Sequence, residues 1–89
     1  MTRVAVFFGG RSEEHEVSCV SAVSAIAALR DKGHDVVAVG IDRLGSFHLA
    51  DADADPLVAE GPDLSIEVPG GRLLTDGDAI AVDVAFPVL

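Results

Sequence analysis

Apolar positions follow two different periods along this chain, and the change of period marks its first elements. Val4 to Phe8 is a continuous apolar run that ends at Gly9-Gly10. So short and unbroken a run predicts a strand covered on both faces, as in a parallel sheet. From about Glu16 to Lys32 the period becomes helical, with Cys19, Ala22, Val23, Ile26 and Leu29 forming one stripe. Ser21, Ser24, Ala25 and Ala28 give a small, weakly polar opposite face, expected to be partly exposed or to lie against another chain. Arg30 and Lys32 fall in the last turn, where cations complement the helix dipole, and Gly33 supplies the stop. A second apolar run, Asp35 to Ile41, predicts another strand. Strand, helix and strand in that order read as a βαβ unit.

The remainder is more broken. Asp42-Arg43-Leu44-Gly45 reads as a turn and Ser46 to Leu49 as a short strand. Ala50 to Asp63 is polar and predicts a solvated loop with one helical turn near Pro56 to Glu60. Its alternating Ala and Asp lack the sixth-position Gly and twelfth-position Glu of a calcium loop. Leu64 to Val68 and Arg72 to Thr75 are expected to pair as a hairpin across Pro69-Gly70-Gly71, with a further turn at Thr75-Asp76-Gly77-Asp78. Val82 to Leu89 predicts a buried strand, with Pro87 where no ladder N–H is needed. Nothing polar closes that strand, so the chain is expected to be the N-terminal piece of a longer protein.

Composition narrows the classes. Residues 1–89 are enough for one small domain, and an apolar fraction of 49% is far above that of a disordered chain. The net charge of −9 argues against nucleic acid and anionic membrane surfaces, which require a basic footprint. No apolar stretch is long enough to span a bilayer, and the N-terminus lacks a signal-peptide core. Cys19 is the single cysteine, so neither an internal disulfide nor a zinc site is available. A cytoplasmic protein is the economical expectation.

The candidate chemistry sits on the turn between the first strand and the helix: Gly9-Gly10-Arg11-Ser12-Glu13-Glu14-His15-Glu16-Val17-Ser18. A dinucleotide or phosphate site fits poorly, although Asp42 stands where a ribose-holding acid would. There is no G-x-G-x-x-G or G-K-[ST] spacing, and phosphate oxygens would meet carboxylates that Arg11 alone cannot offset. A metal site fits poorly as well. Consecutive residues Glu13, Glu14, His15 and Glu16 point in different directions, and His34 and His48 read as structural histidines. The third reading is a site for a cation, with one carboxylate turned inward to accept a charge-assisted bond from an ammonium. Against it stands the plain alternative that these glutamates only complement the dipole of the first helical turn.

Val4 to Ser18 closely resembles the opening of D-alanine–D-alanine ligases, a strand followed by Gly-Gly-x-Ser-x-Glu-(His or Arg)-x-Val-Ser and a helix. Val39-Gly40-Ile41-Asp42 with Gly45, and Asp83-Val84-Ala85-Phe86-Pro87-Val88-Leu89, resemble two later blocks of that family in the same order. Asp51 to Asp78 matches poorly. The resemblance implies an α/β, Rossmann-like (pre-ATP-grasp) open parallel sheet with flanking helices and a small β-hairpin insertion. It further implies that residues 1–89 are the N-terminal substrate domain of an ATP-dependent ligase that makes the D-alanyl-D-alanine peptidoglycan precursor through an acyl phosphate. ATP and Mg2+ (or Mn2+) would be held by ATP-grasp domains outside this chain, which alone would be inactive. By motif, Glu14 matches the glutamate that holds the ammonium of the first D-alanine, and Val17 the residue near its methyl group. Ser18 is expected to serve the helix start, and Glu13 and Glu16 to be dipole-complementing surface residues. A homodimer through this domain is implied too. The alternatives are a non-catalytic dimerisation or binding module on the same scaffold, and another ATP-grasp amino-acid ligase.

Overall fold

The structure, a computed structural model, describes residues 2–11, 13–67, 72–75 and 78–88. The strand–helix–strand unit is β1 (Arg3–Gly9), α1 (His15–Asp31) and β2 (Asp35–Ile41). It is followed by β3 (Phe47–Ala50), β4 (Ser65–Glu67), β5 (Arg72–Thr75), β6 (Asp78–Ala81) and β7 (Val84–Val88). Two sheets result, one ordered β3-β2-β1-β7 and the other β4-β5-β6. β1 is central and parallel to both neighbours, with Val4 opposite Val36 on one side and Val84 on the other. β3 runs antiparallel to β2.

The unbroken apolar run of β1 follows from a cover on each face. Val4, Val6 and Phe8 point to α1 and pack with Cys19, Ala22 and Ile26 and with Val36 and Ala38 of β2. Ala5 points the other way, to Val39, Leu64 and Leu73, flanked by Phe7, Phe47, Ile80 and Val82. Phe7 and Phe47 meet edge to face at 6.2 Å. Val6 and Phe8 have no exposed surface, and full burial stabilises by roughly 1.5–3 kcal/mol per side chain.

Several expectations need correction here. The second cover is not a helix: among the described residues α1 is the one helix, and the three-stranded antiparallel sheet shields the opposite face. The hairpin is in fact a meander, because Asp78–Ala81, to which no strand was assigned, pairs with β5 and sets Leu73 opposite Ile80. Its predicted turns at Pro69-Gly70-Gly71 and Asp76-Gly77 lie outside the described residues. So do Ser12, Val68 and Leu89. No helical turn forms near Pro56 to Glu60, and that segment is not simply solvated, since Leu57 and Ala59 are buried against α1 and β1. β7 is not a buried strand: Val84 and Phe86 are about half exposed, because β7 is the sheet edge and α1 lies over β1 and β2. An edge is also the place that tolerates Pro87.

α1 keeps only part of its expected stripe. Ser18, Cys19, Ala22 and Ile26 are buried, whereas Val23 is 49% exposed. Each residue advances the helix by about 100°, which carries Val23 past the edge of so narrow a contact face. The helix ends as expected. The Gly33 N–H bonds the Arg30 carbonyl at 2.9 Å and the His34 N–H that of Leu29 at 3.1 Å, the paired bonds of a Schellman stop.

Candidate functional site

The chain runs from β1 through α1 to β2 on one side of β1, while β7 lies on the other side. The direction of winding therefore changes between β1 and β7. In open parallel sheets, ligands settle in the crevice at the carboxyl ends of the strands at such a point. Those ends are Gly9 and Val88, and one side chain ties them together. The Ser18 Oγ accepts the Gly9 N–H at 2.9 Å and donates a short hydrogen bond to the Val88 carbonyl. Ser18 is 5% exposed and is the buried polar residue of the domain's described part. Its hydroxyl thus joins two strands and does not cap the helix, contrary to expectation.

The glycine turn is fixed from several directions. Gly9 has φ +93°, and a Cβ there would run into the Ile41 carbonyl oxygen, so the position takes no other residue without strain. The Gly10 N–H bonds that same Ile41 carbonyl at 2.8 Å, and the Gly10 carbonyl meets His15 Nδ1 at 2.7 Å. Arg11, the cation nearest the carboxylates in sequence, turns away and donates to the Leu44 carbonyl at 2.9 Å.

The three glutamates then part company. Glu14 occupies the N-cap of α1, exposed, and its carboxylate makes no cap bond to the helix. Val17, 58% exposed, lies three residues on and so shares its side of the helix. Ser18, four residues on from Glu14, reaches back to the ends of β1 and β7. Glu16 points elsewhere, 3.6 Å from Arg43, and Glu13 is exposed. Glu14 and Val17 thus stand three residues apart at the start of α1, and Glu16 is set apart beside Arg43. Among the described residues no group of three or more His, Cys, Asp and Glu converges as a metal site.

Two features escape a reading of the chain alone. One is an open cleft of about 610 Å³ between α1 and the Pro56–Glu60 segment, lined also by His15, Glu16, Cys19 and Arg43. Burial raises the Cys19 thiol above its ordinary range, with Arg43 partly opposing. The other feature is a polar cluster on β3. His48 Nε2 donates to Asp42 at 2.7 Å, while Nδ1 faces the Gly61 carbonyl at 3.1 Å and Asp63 at 3.4 Å. Asp42 also accepts the Leu44 and Ser46 N–H groups, closing the β2–β3 turn. The His48 bond, then these amides, hold its carboxyl down at about 2, and the Asp42 bond raises His48 in return. Asp42 is therefore engaged by His48 and two backbone amides in closing the turn. The antiparallel register that pairs Gly40 with His48 was the available signal, since it brings Asp42 and His48 to one end of a hairpin.

The sequence profile of the family described as "D-ala D-ala ligase N-terminus" matches residues 3–89. The chain belongs to this family. Among curated relatives, it is 42% identical over 107 aligned positions to the D-alanine–D-alanine ligase of Rhodococcus opacus, covering 99% of this chain and 29% of that protein. It is 42% identical over 106 positions to the ligase of Mycobacterium tuberculosis strain H37Rv, covering 98% and 28%. The VanG D-Ala:D-Ser ligase of Enterococcus faecalis superposes with a TM-score of 0.74 at 25% identity, over 97% of this chain and 28% of that one. The D-alanyl-alanine synthetase A of Vibrio cholerae superposes at 0.79 and 22% identity over 98% and 23%, a likeness of fold. This D-Ala ligase N-terminal chain therefore spans under a third of the length of the curated relatives it matches.

Proposed function

We propose that this chain is the N-terminal substrate domain of an ATP-dependent D-alanine–D-alanine ligase serving peptidoglycan synthesis, and that Glu14 holds the ammonium of the first D-alanine. The observation that carries the reading is the place of Glu14 at the start of α1, one turn before Ser18, with Glu16 drawn aside to Arg43. Glu14 alone combines the family's motif position with a place beside Val17 and Ser18 at the β1/β7 switch point. A carboxylate there is favoured by the helix dipole and can accept charge-assisted bonds from an ammonium. Val17, one turn on, would contact the methyl group.

The role is orientation. An ammonium fixed at Glu14 leaves the substrate carboxylate with a restricted set of directions, and fixing a reactant this way lowers the entropic part of a barrier. ATP and Mg2+ would supply the activation of that carboxylate. In this reading they are held by ATP-grasp domains outside this chain. No helix of the described residues is long and apolar enough to cross a membrane. A cytoplasmic location belongs to the proposal. Pairing of two such domains through α1 is part of the proposal, supported by Val20 and Val23, 71% and 49% exposed on the helix.

The test is a pair of substitutions in the complete enzyme. Glu14→Gln should raise the KM for the first D-alanine about 10- to 100-fold, the loss of a hydrogen bond to a charged group being about 1.5–3 kcal/mol, with ATP affinity unchanged. Glu13→Gln should leave both near the parent values. Equal losses from the two variants would refute the assignment of Glu14.

A further inference from the structure

The His48 cluster has a geometry that only one protonation state satisfies. Nε2 faces a carboxylate oxygen of Asp42, and Nδ1 faces the Gly61 carbonyl with Asp63 beyond it. All of these partners accept and none donates. A neutral imidazole has one N–H and one lone pair, so one ring nitrogen would point its lone pair at an oxygen. The imidazolium donates from both nitrogens and fits. The side chain is 16% exposed, and both ring nitrogens are already taken up by these oxygens.

The ring also sits at a joint. Asp42 closes the turn that leaves β2, whereas Gly61 and Asp63 belong to the segment returning from the polar loop. That segment lies along the free side of β3 through the Leu49 N–H to Pro62 carbonyl and Leu64 N–H to Phe47 carbonyl bonds, 2.8 and 2.9 Å. Just before it, Ala59 packs closely on Gly40 of β2, where a Cβ would lie 2.5 Å from the Ala59 Cα, and it lies within reach of a Cβ placed on Gly9. Pro56 to Glu60 is also the wall of the cleft facing α1.

We propose that His48 is a protonation-dependent latch: as an imidazolium it clamps the 51–63 segment onto the glycine turn of β1, and on losing its proton it lets that segment loosen. From β2 the charged group facing the ring is Asp42, and from the segment before β4 it is Asp63. Both are anionic and both favour the charged ring. The raised proton affinity of His48, due first to the Asp42 bond, places release above the pH at which a free histidine titrates. Loosening would widen the cleft and free the packing of Ala59 over Gly40, beside the glycine turn that leads to Glu14. The latch is a property of this fold whether or not the proposed ligand is right.

Amide hydrogen exchange of the whole protein, corrected for intrinsic rates and read from about pH 5.5 to about 8.5 around the free-histidine value of about 6.5, is the test. Protection across 51–63 should fall several-fold in a single step whose midpoint lies above that of free histidine. His48→Gln should abolish the step. Asp63→Asn, a change at a side chain 94% exposed that leaves folding intact, should move the midpoint to lower pH. Absence of a step in the parent, its survival in His48→Gln, or an unmoved midpoint in Asp63→Asn would each overturn the proposal.

Discussion

Ser18 carries more of the architecture than its size suggests. It satisfies the N–H of Gly9 and the carbonyl of Val88 at the ends of two neighbouring strands, both beside the proposed ammonium site. Replacing it with alanine leaves a buried donor unpaired, at a cost of about 1–3 kcal/mol; Ser18→Ala should lower the urea midpoint accordingly, with the slope unchanged. The Asp42–His48 pair makes stability depend on pH in both directions. Asp42 is depressed from 3.8 to about 2 in the fold, so its contribution is full above the ordinary carboxylate range and is lost as pH falls through about 2. His48 is raised above 6.5, so its contribution is full below that value and is lost as pH rises through the raised one. Urea midpoints should therefore be highest from about pH 4 to about 6.5, and His48→Gln should flatten the fall on the alkaline side. At this scale the chain was only partly legible. Glu14 stood out through its motif, but nothing in the spacing of Asp42, His48 and Asp63 announced a cluster, because β-pairing and not helical periodicity brings them together.

The elements were easier to read where one strong pattern governed them. β1 and β2 are buried on both faces, so nearly every position is apolar, and the limits of β2 coincide with those expected from sequence. α1 was legible in extent, through Gly33, but less so in orientation. Val17, Val20 and Val23 are exposed, so apolar residues run around much of the helix and the stripe alone does not fix the buried face. The short strands β4 to β6 were harder, since each is only three or four residues long with no sustained alternation, and the common packing of Leu64, Leu73 and Ile80 on Ala5 and Val39 is what gives these segments meaning. The same holds for Leu57 and Ala59, buried inside a stretch of aspartates. Close packing between elements gives a direct check. Ala22 is fully buried where α1 meets the sheet, so Ala22→Leu should overpack the contact and cost about 1–3 kcal/mol in chemical denaturation. At the exposed Ala28, the same change should cost much less.

As a whole, the described residues form a sheet with a parallel β2-β1-β7 core and an antiparallel β3 at one edge, its winding reversing at β1, with a helix on one face and a small antiparallel sheet on the other. Such a reversal is where open parallel sheets place their ligand crevice; here the carboxyl ends of β1 and β7 meet there, the glycine turn leaves from it, and α1 follows with Glu14 at its N-cap. The position of that crevice follows from strand order, which the sequence revealed only through its family likeness, since periodicity does not say on which side of β1 the last strand lies. The central claim is that Glu14 meets an ammonium, and a thermodynamic cycle isolates that one contact. In the complete enzyme, binding of D-alanine at the first site is compared with binding of D-lactate, which has a hydroxyl in place of the ammonium, in the parent and in Glu14→Gln. The parent should prefer D-alanine, and the variant should lose about tenfold or more of that preference, as expected for a charge-assisted bond of about 1.5–3 kcal/mol. An equal preference in parent and variant would show that Glu14 does not touch the ammonium, and would contradict the account.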